Sequence, residues 1–349
     1  MKLLSAVKIG NMKDPDPEKR GRVALRDVPV PEIGDEEVLI KVAYCSICGS
    51  DPHLVAGAFG WEPPFGLGHE MSGVIVKLGP GAAKKGLREG DRVAGNFRNY
   101  CGACYYCRNG QEQFCENVTE QPAMAEYVKW HKSQIVKLPD DISLKTGCLL
   151  EPVSVGVRVM DKTNMKVGQR VAVSGGGPIG LIVLQLLKMY GATHLTMIEP
   201  VAQRRELAKK YGADFVLDPV NQNIEEEGKK ITRGLGYDLV IEVSGFPGAA
   251  ENVLKLAARC GTIIYVAMFP NNYELPLNLY TYCYGREITI TGTFVSPYVF
   301  PRAAQILGRM RLEDFTAQVY DLDDPEGAFA AHLSGKYPKI LIRCNRDMD

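Results

Sequence analysis

The segment Gln169-Arg170-Val171-Ala172-Val173-Ser174, followed at once by Gly175-Gly176-Gly177-Pro178-Ile179-Gly180, leaves the second half of this chain little choice of fold. The first six residues read as a short buried strand, and residues 181–191 read as an apolar helix that stops at Gly191. A G-x-G-x-x-G pattern alone is a weak signal. Set between strand and helix, it supplies the tight turn and close backbone approach that a pyrophosphate at a helix N-terminus requires. Gly175, Gly177, Pro178, Ile179 and Gly180 are therefore expected to cradle a dinucleotide. The next strand, residues 195–198, ends in Glu199, an acid placed to accept ribose hydroxyls and repel a 2′-phosphate. NAD(H) is expected, with NADP disfavoured, although Arg204 and Arg205 stand nearby and an arginine can hold that phosphate. Strands at 215–217, 239–243 and 262–266, with a helix from 249 to 260 between the last two, complete a doubly wound parallel sheet. Residues 221–230 are charged and read as a solvated helix or loop.

At 349 residues the chain calls for about two domains. From residue 6 to 98 the pattern is one of short β-rich runs punctuated by Gly and Pro, which predicts a β module with irregular loops. Lysine plus arginine and aspartate plus glutamate both number 41, so no long-range field favours nucleic acid or an anionic membrane as partner. A small-molecule ligand fits better. Lysines interrupt the N-terminal stretch before an apolar core forms, and no run of about 18 apolar residues occurs. Neither a signal peptide nor a membrane span is expected, and the cytoplasm is the expected location. Ten cysteines in a reducing compartment point to metal rather than disulfides.

Two constellations carry that reading. Cys48-Gly49-Ser50-Asp51-Pro52-His53 is followed by Gly66-Leu67-Gly68-His69-Glu70, so a thiol, an imidazole and a carboxylate fall close together beside flexible glycines. This is a candidate catalytic metal site. Cys101, Cys104, Cys107 and Cys115 follow at C-x2-C-x2-C-x7-C spacing on a loop, at about 98–117, with no hydrophobic period of its own. Four thiolates close a tetrahedral zinc site and leave no position for substrate, so this one is structural.

These motifs, in this order and at these separations, resemble the zinc-dependent medium-chain dehydrogenases, and the resemblance spans essentially the whole chain. It implies an α/β two-domain fold: a GroES-like β-rich catalytic domain at 1–151, a Rossmann domain at 152–286, and a return to the catalytic domain over 287–349. It implies two zinc ions per chain. Cys48 and His69 match ligands of the catalytic zinc, Glu70 a third ligand or close partner, and Asp51 the acid that orients the imidazole. Glu151-Pro152 matches the sorbitol- and threonine-type branches, where a glutamate stands at the remaining metal position. Arg286 resembles an arginine expected to face Glu151. Ser50 and His53 match a proton relay, Arg204 a residue covering the adenine, and Val243 and Val266 strand ends that contact ribose and nicotinamide. The activity implied is interconversion of a secondary alcohol and a ketone on a polyol, sugar or cyclitol, by a homotetramer or homodimer. The loop at 54–64, with Phe59 and Trp61, departs from the sorbitol-type pattern, which keeps threonine 3-dehydrogenase- or butanediol dehydrogenase-like activity in view. A zinc- and NAD-binding sensor without catalysis is the alternative of a different class.

Overall fold

The computed structural model describes residues 1–348 and divides into two compact units, one formed by Met1–Glu151 with the segment from Phe300 onward, the other by Pro152–Val299. In the first, the strands are β1 (Lys2–Lys8), β2 (Arg22–Asp27), β3 (Glu37–Ser46), β4 (Phe65–Gly66), β5 (Glu70–Leu78), β6 (Arg92–Gly95), β7 (Arg98–Asn99), β8 (Thr119–Glu120), β9 (Tyr127–His131) and β10 (Ile135–Lys137). The organising strand is β3, whose Val38, Ile40, Val42, Ala43 and Cys45 are fully buried. A strand apolar on both faces must lie inside a sheet, and β3 pairs antiparallel with both β5 and β9. Its side chains meet Leu4, Met71, Met124, Trp130 and Phe329 in one core.

The second unit is a six-stranded sheet of β11 (Arg170–Ser174), β12 (Thr193–Ile198), β13 (Phe215–Leu217), β14 (Tyr237–Glu242), β15 (Ala257–Tyr265) and β16 (Thr289–Gly292). All its pairings are parallel, in the order β13-β12-β11-β14-β15-β16, so the strand order reverses beside β11. Helices Pro178–Met189 and Pro247–Leu256 follow β11 and β14, and each begins with proline, whose missing N–H is no loss in a first turn. Gly175 has φ +112°, and a Cβ on Gly180 would stand 1.8 Å from the Gly175 carbonyl oxygen. Only glycine permits that approach. The chain then re-enters the first unit, adding β17 (Val319–Asp321) and β18 (Leu341–Arg343), and β18 pairs antiparallel with β3.

Two expected boundaries move. The return comes at Phe300 rather than after Arg286, because β16 pairs with β15 as the sixth strand of the nucleotide-type sheet. The helix expected to reach Cys260 ends at Leu256, and the residues after it join the sheet as β15, with Cys260 at φ +57°. The charged run at 221–230 contains a helix, Ile224–Ile231, capped by Asn223 and laced by Lys229–Glu225 and Lys230–Glu227 pairs.

Gly180→Ala is expected to force the glycine turn apart, lowering stability by about 1–3 kcal/mol. Chemical denaturation would read this as a lowered midpoint, with dinucleotide affinity reduced alongside.

Candidate functional site

Cys48 lies just past the end of β3 and His69 just before β5, so the pairing of those strands brings a thiol and an imidazole together across a stretch of loop. The ligand atoms of Cys48, His69 and Glu70 lie within 4.8 Å of one another. Gly68, at φ +88°, allows the close approach, since a Cβ there would stand 2.4 Å from the Met124 side chain and 2.9 Å from Cys45 Sγ. Asp51 is fully buried in the short helix Ser50–Val55. Its carboxylate accepts the amides of Cys48 at 2.8 Å and Gly68 at 3.3 Å. It thus clamps the two segments that carry Cys48 and His69, and its charge acts on the imidazole.

Glu70 begins β5 opposite Ser46. One carboxylate oxygen accepts the Lys339 ammonium at 2.6 Å and the other accepts the Ser46 hydroxyl. Lys339 also donates to the Ile47 carbonyl at 3.0 Å, and both members of the pair are buried. Burial pushes the Glu70 carboxyl up, but Lys339, His69 and Ser46 outweigh it and hold the group below the usual carboxylate range. Glu151, at the start of the helix Leu150–Thr163, is buried beside these residues, outside the tight trio. Burial first, and the Glu70 and Asp51 charges against the opposing pull of His69 and Lys339, push Glu151 up to about 7. Burial opposes charge on His69, yet Cys48, Asp51 and Glu151 raise its pKa well above the ordinary value. An inward-facing set of anions that draws a proton onto an imidazole would equally hold a divalent cation. The soft and borderline donors present, one thiol and one imidazole with carboxylates, suit zinc.

Ser50 is half-buried at the start of its helix, and His53 is exposed in the last turn. No motif pointed to Phe97, whose ring centroid lies 4.7 Å from that of His69. Lys339 was also missed, although a lone lysine opening the apolar run Ile340-Leu341-Ile342 was a usable signal.

The four cysteine sulfurs, Cys101, Cys104, Cys107 and Cys115, also converge within 4.8 Å. That fits a tetrahedral zinc, which at about 2.3 Å from each thiolate sets sulfurs about 3.8 Å apart. The Cys101 sulfur accepts the Cys104 amide at 3.4 Å and the Cys115 sulfur accepts the Cys101 amide at 3.3 Å. Amide donors from Ala103 and Cys104 lower the Cys101 thiol to about 6, as a metal-binding thiolate needs. The base of the lobe is the β7–β8 pair, braced by Arg98–Glu120 at 2.7 Å.

In the second unit, Glu199 ends β12 under the glycine turn. Its carboxylate accepts the amides of Gly176 at 2.7 Å and Val201 at 2.8 Å, with Arg204 at 3.9 Å. Arg205 is held by Asp218 at 3.0 Å and by the Glu199 and Pro200 carbonyls. The amides of Val243 and Val266 serve the sheet, donating to Ser174 and Glu242 carbonyls, so a ligand there would meet their carbonyl oxygens. Glu242 is buried, and its carboxylate accepts both donors of Ser244 and the Gly245 amide, fixing the turn next to Gly175. The Arg286 guanidinium donates to the Ala257 and Leu254 carbonyls and lies over the Tyr282 ring, and so closes the end of the helix Pro247–Leu256.

Two stretches match known families: residues 34–140 the Alcohol dehydrogenase GroES-like domain, and residues 178–309 the Zinc-binding dehydrogenase family. The chain is 31% identical to sorbitol dehydrogenase of Bacillus subtilis (strain 168), over 96% of this chain and 98% of that one. It is 34% identical to D-arabitol-phosphate dehydrogenase of Enterococcus avium, over 93% and 94%. Among solved structures, a candidate zinc-binding dehydrogenase of Clostridium scindens ATCC 35704 superposes with a TM-score of 0.92 at 34% identity, covering 98% and 99%.

Two outcomes are expected. Lys339→Met should leave Glu70 buried without its counter-charge and cost about 3–5 kcal/mol, read as a lowered unfolding midpoint. Zinc binding to the Cys48 cluster must displace protons from His69 and Glu151, so affinity should fall as pH drops below about 7. Each proton displaced contributes about tenfold per pH unit, and chelator competition at pH 6 and 8 would measure it.

Proposed function

Because the chain belongs to the zinc-dependent medium-chain dehydrogenases, we propose that it oxidises a secondary alcohol of a polyol, sugar or cyclitol to the ketone with NAD, and catalyses the reverse with NADH. The observation that carries this reading is the convergence of Cys48, His69 and Glu70 within 4.8 Å, with Glu151 beside them. Bound zinc would supply Lewis acidity towards the substrate oxygen, and the nicotinamide would accept the hydride. Cys48 and His69 would hold the metal, with Glu151 as the carboxylate able to complete the set. Glu70 is kept back by Lys339 and Ser46 and tunes the site from behind. Phe97 packs on His69 and limits how the imidazole can turn. Ser50, two residues beyond Cys48, would pass the alcohol proton outward, with exposed His53 as its outlet to solvent.

Glu199 supports NAD over NADP. It sits under the glycine turn, and one of the two nearby arginines is already committed to Asp218. The four-cysteine lobe supports a second, structural zinc. The polyol reading draws on the relatives that act on sorbitol and D-arabitol phosphate. Phe59, Trp61 and Phe65 form a chain of ring contacts, with Phe59 and Trp61 largely exposed, and such faces can stack on a sugar ring. A small-alcohol substrate such as threonine or a butanediol is the reading a panel must separate from this one.

Initial rates of NAD and NADP reduction with polyols, sugars, cyclitols, diols and threonine test the proposal, with zinc measured on the same preparation. Turnover of a polyhydroxylated substrate with NAD, at about two zinc per chain, is expected. Activity confined to threonine or a diol would overturn the substrate class. Cys48→Ser should lose at least about a hundredfold in kcat while NADH binding, followed by fluorescence, stays unchanged.

A further inference from the structure

A cavity of about 640 Å³ opens on the first unit, and its walls belong to that unit alone. Strand register shows how it is built. Arg343 of β18 stands opposite Tyr44 of β3, Tyr44 opposite Ser72 of β5, and Ser72 opposite Ala94 of β6. Residues two apart on a strand share a face, so Arg92 and Val319 rise from the same side as Arg343 and Tyr44. Over this face lies the turn that carries Lys145, pinned by the Ser72 hydroxyl donating to the Leu144 carbonyl. Floor and wall thus bring Arg92, Lys145 and Arg343 to one cavity, with Tyr44, Val319 and Met348 as its uncharged lining.

Among the described residues the charge balance is one-sided. Arg343 and the neighbouring Arg346 are matched by Asp321 and Asp323, with contacts of 2.7, 3.0 and 2.8 Å. Arg92 donates only to the carbonyls of Asp140 and Ile142, which satisfies its N–H groups and leaves its charge. Among the described residues Lys145 makes no side-chain hydrogen bond or ion pair, and no acidic side chain lines the cavity. Half-buried cations without counter-charges raise the local potential and favour an anion. The volume lies in the range that takes a small organic molecule rather than a bare ion. Guanidinium and ammonium groups around one space suit a phosphate, with an uncharged body lying against the Tyr44 and Val319 wall.

We propose that this cavity binds a small phosphomonoester, of sugar-phosphate or mononucleotide size, at a site separate from the metal cluster and the glycine turn. Lys145 is the recognition cation that can be altered without touching the sheet. Calorimetric titration of the zinc-loaded enzyme, saturated with NAD so that the dinucleotide site is filled, tests it with ribose 5-phosphate, ribose and inorganic phosphate as probes. One ribose 5-phosphate per chain is expected, with ribose at least about tenfold weaker and inorganic phosphate competing. Lys145→Glu should weaken ribose 5-phosphate at least about tenfold and Lys145→Arg should retain it, while Kd for NAD and KM for the alcohol stay unchanged. Binding unaffected by Lys145→Glu, or competitive with the alcohol substrate, would place the ligand elsewhere and overturn the proposal. So would absence of saturable binding, or displacement by chloride as effective as by phosphate.

Discussion

The buried pair between Lys339 and Glu70 is the contact on which the catalytic unit turns. It joins a residue at the entry to the last strand to one at the start of β5, 269 positions apart. The same ammonium holds the Ile47 carbonyl, next to Cys48, and the same carboxylate takes the Ser46 hydroxyl. Two charges removed from water are tolerated only when each is paired and further hydrogen-bonded, and here both conditions are met. The pair fixes the backbone beside Cys48 and His69.

Asp51 repeats this device with backbone donors. By capping the Cys48 and Gly68 amides it sets the separation of two loops that the sheet alone would leave loose. In the nucleotide-type unit Glu199 and Glu242 do the same at the ends of β12 and β14, each accepting amides from a turn beside the glycine loop. Buried carboxylates satisfied by main-chain N–H groups recur wherever a strand end has to hold a loop in place. Such contacts hold the geometry of a loop through its main chain.

What was legible in the sequence was local. The glycine turn, the four-cysteine lobe and the pairing of Cys48 with His69 each lie within one stretch or two adjacent strands, where spacing constrains geometry. Lys339, Ser46 and Phe97 were not legible as site residues, because their roles depend on pairings across the sheet. The contacts of Arg286, in the turn before β16, with the Ala257 and Leu254 carbonyls at a helix end were not legible either, because a guanidinium can serve any carbonyl that folding brings near. The return to the first unit was placed too early because β16 is only four residues long, and its β-branched Thr-Ile-Thr run says strand without saying which sheet it joins.

The catalytic unit is made of two pieces of chain with the whole nucleotide-type unit between them. A ribosome releases the pieces in order. Glu70, Ser46, Cys48 and His69 emerge long before Lys339, so the nascent first piece holds a carboxylate that cannot be buried at low cost until Lys339 has been made. The cysteine lobe has all four thiols within residues 101–115 and can take its metal early. The inserted unit, with its own core, can close while the catalytic one waits. Assembly of the Cys48 cluster is in this way deferred until the second piece has emerged, and a chain cut short of Lys339 would hold Glu70 without its counter-charge.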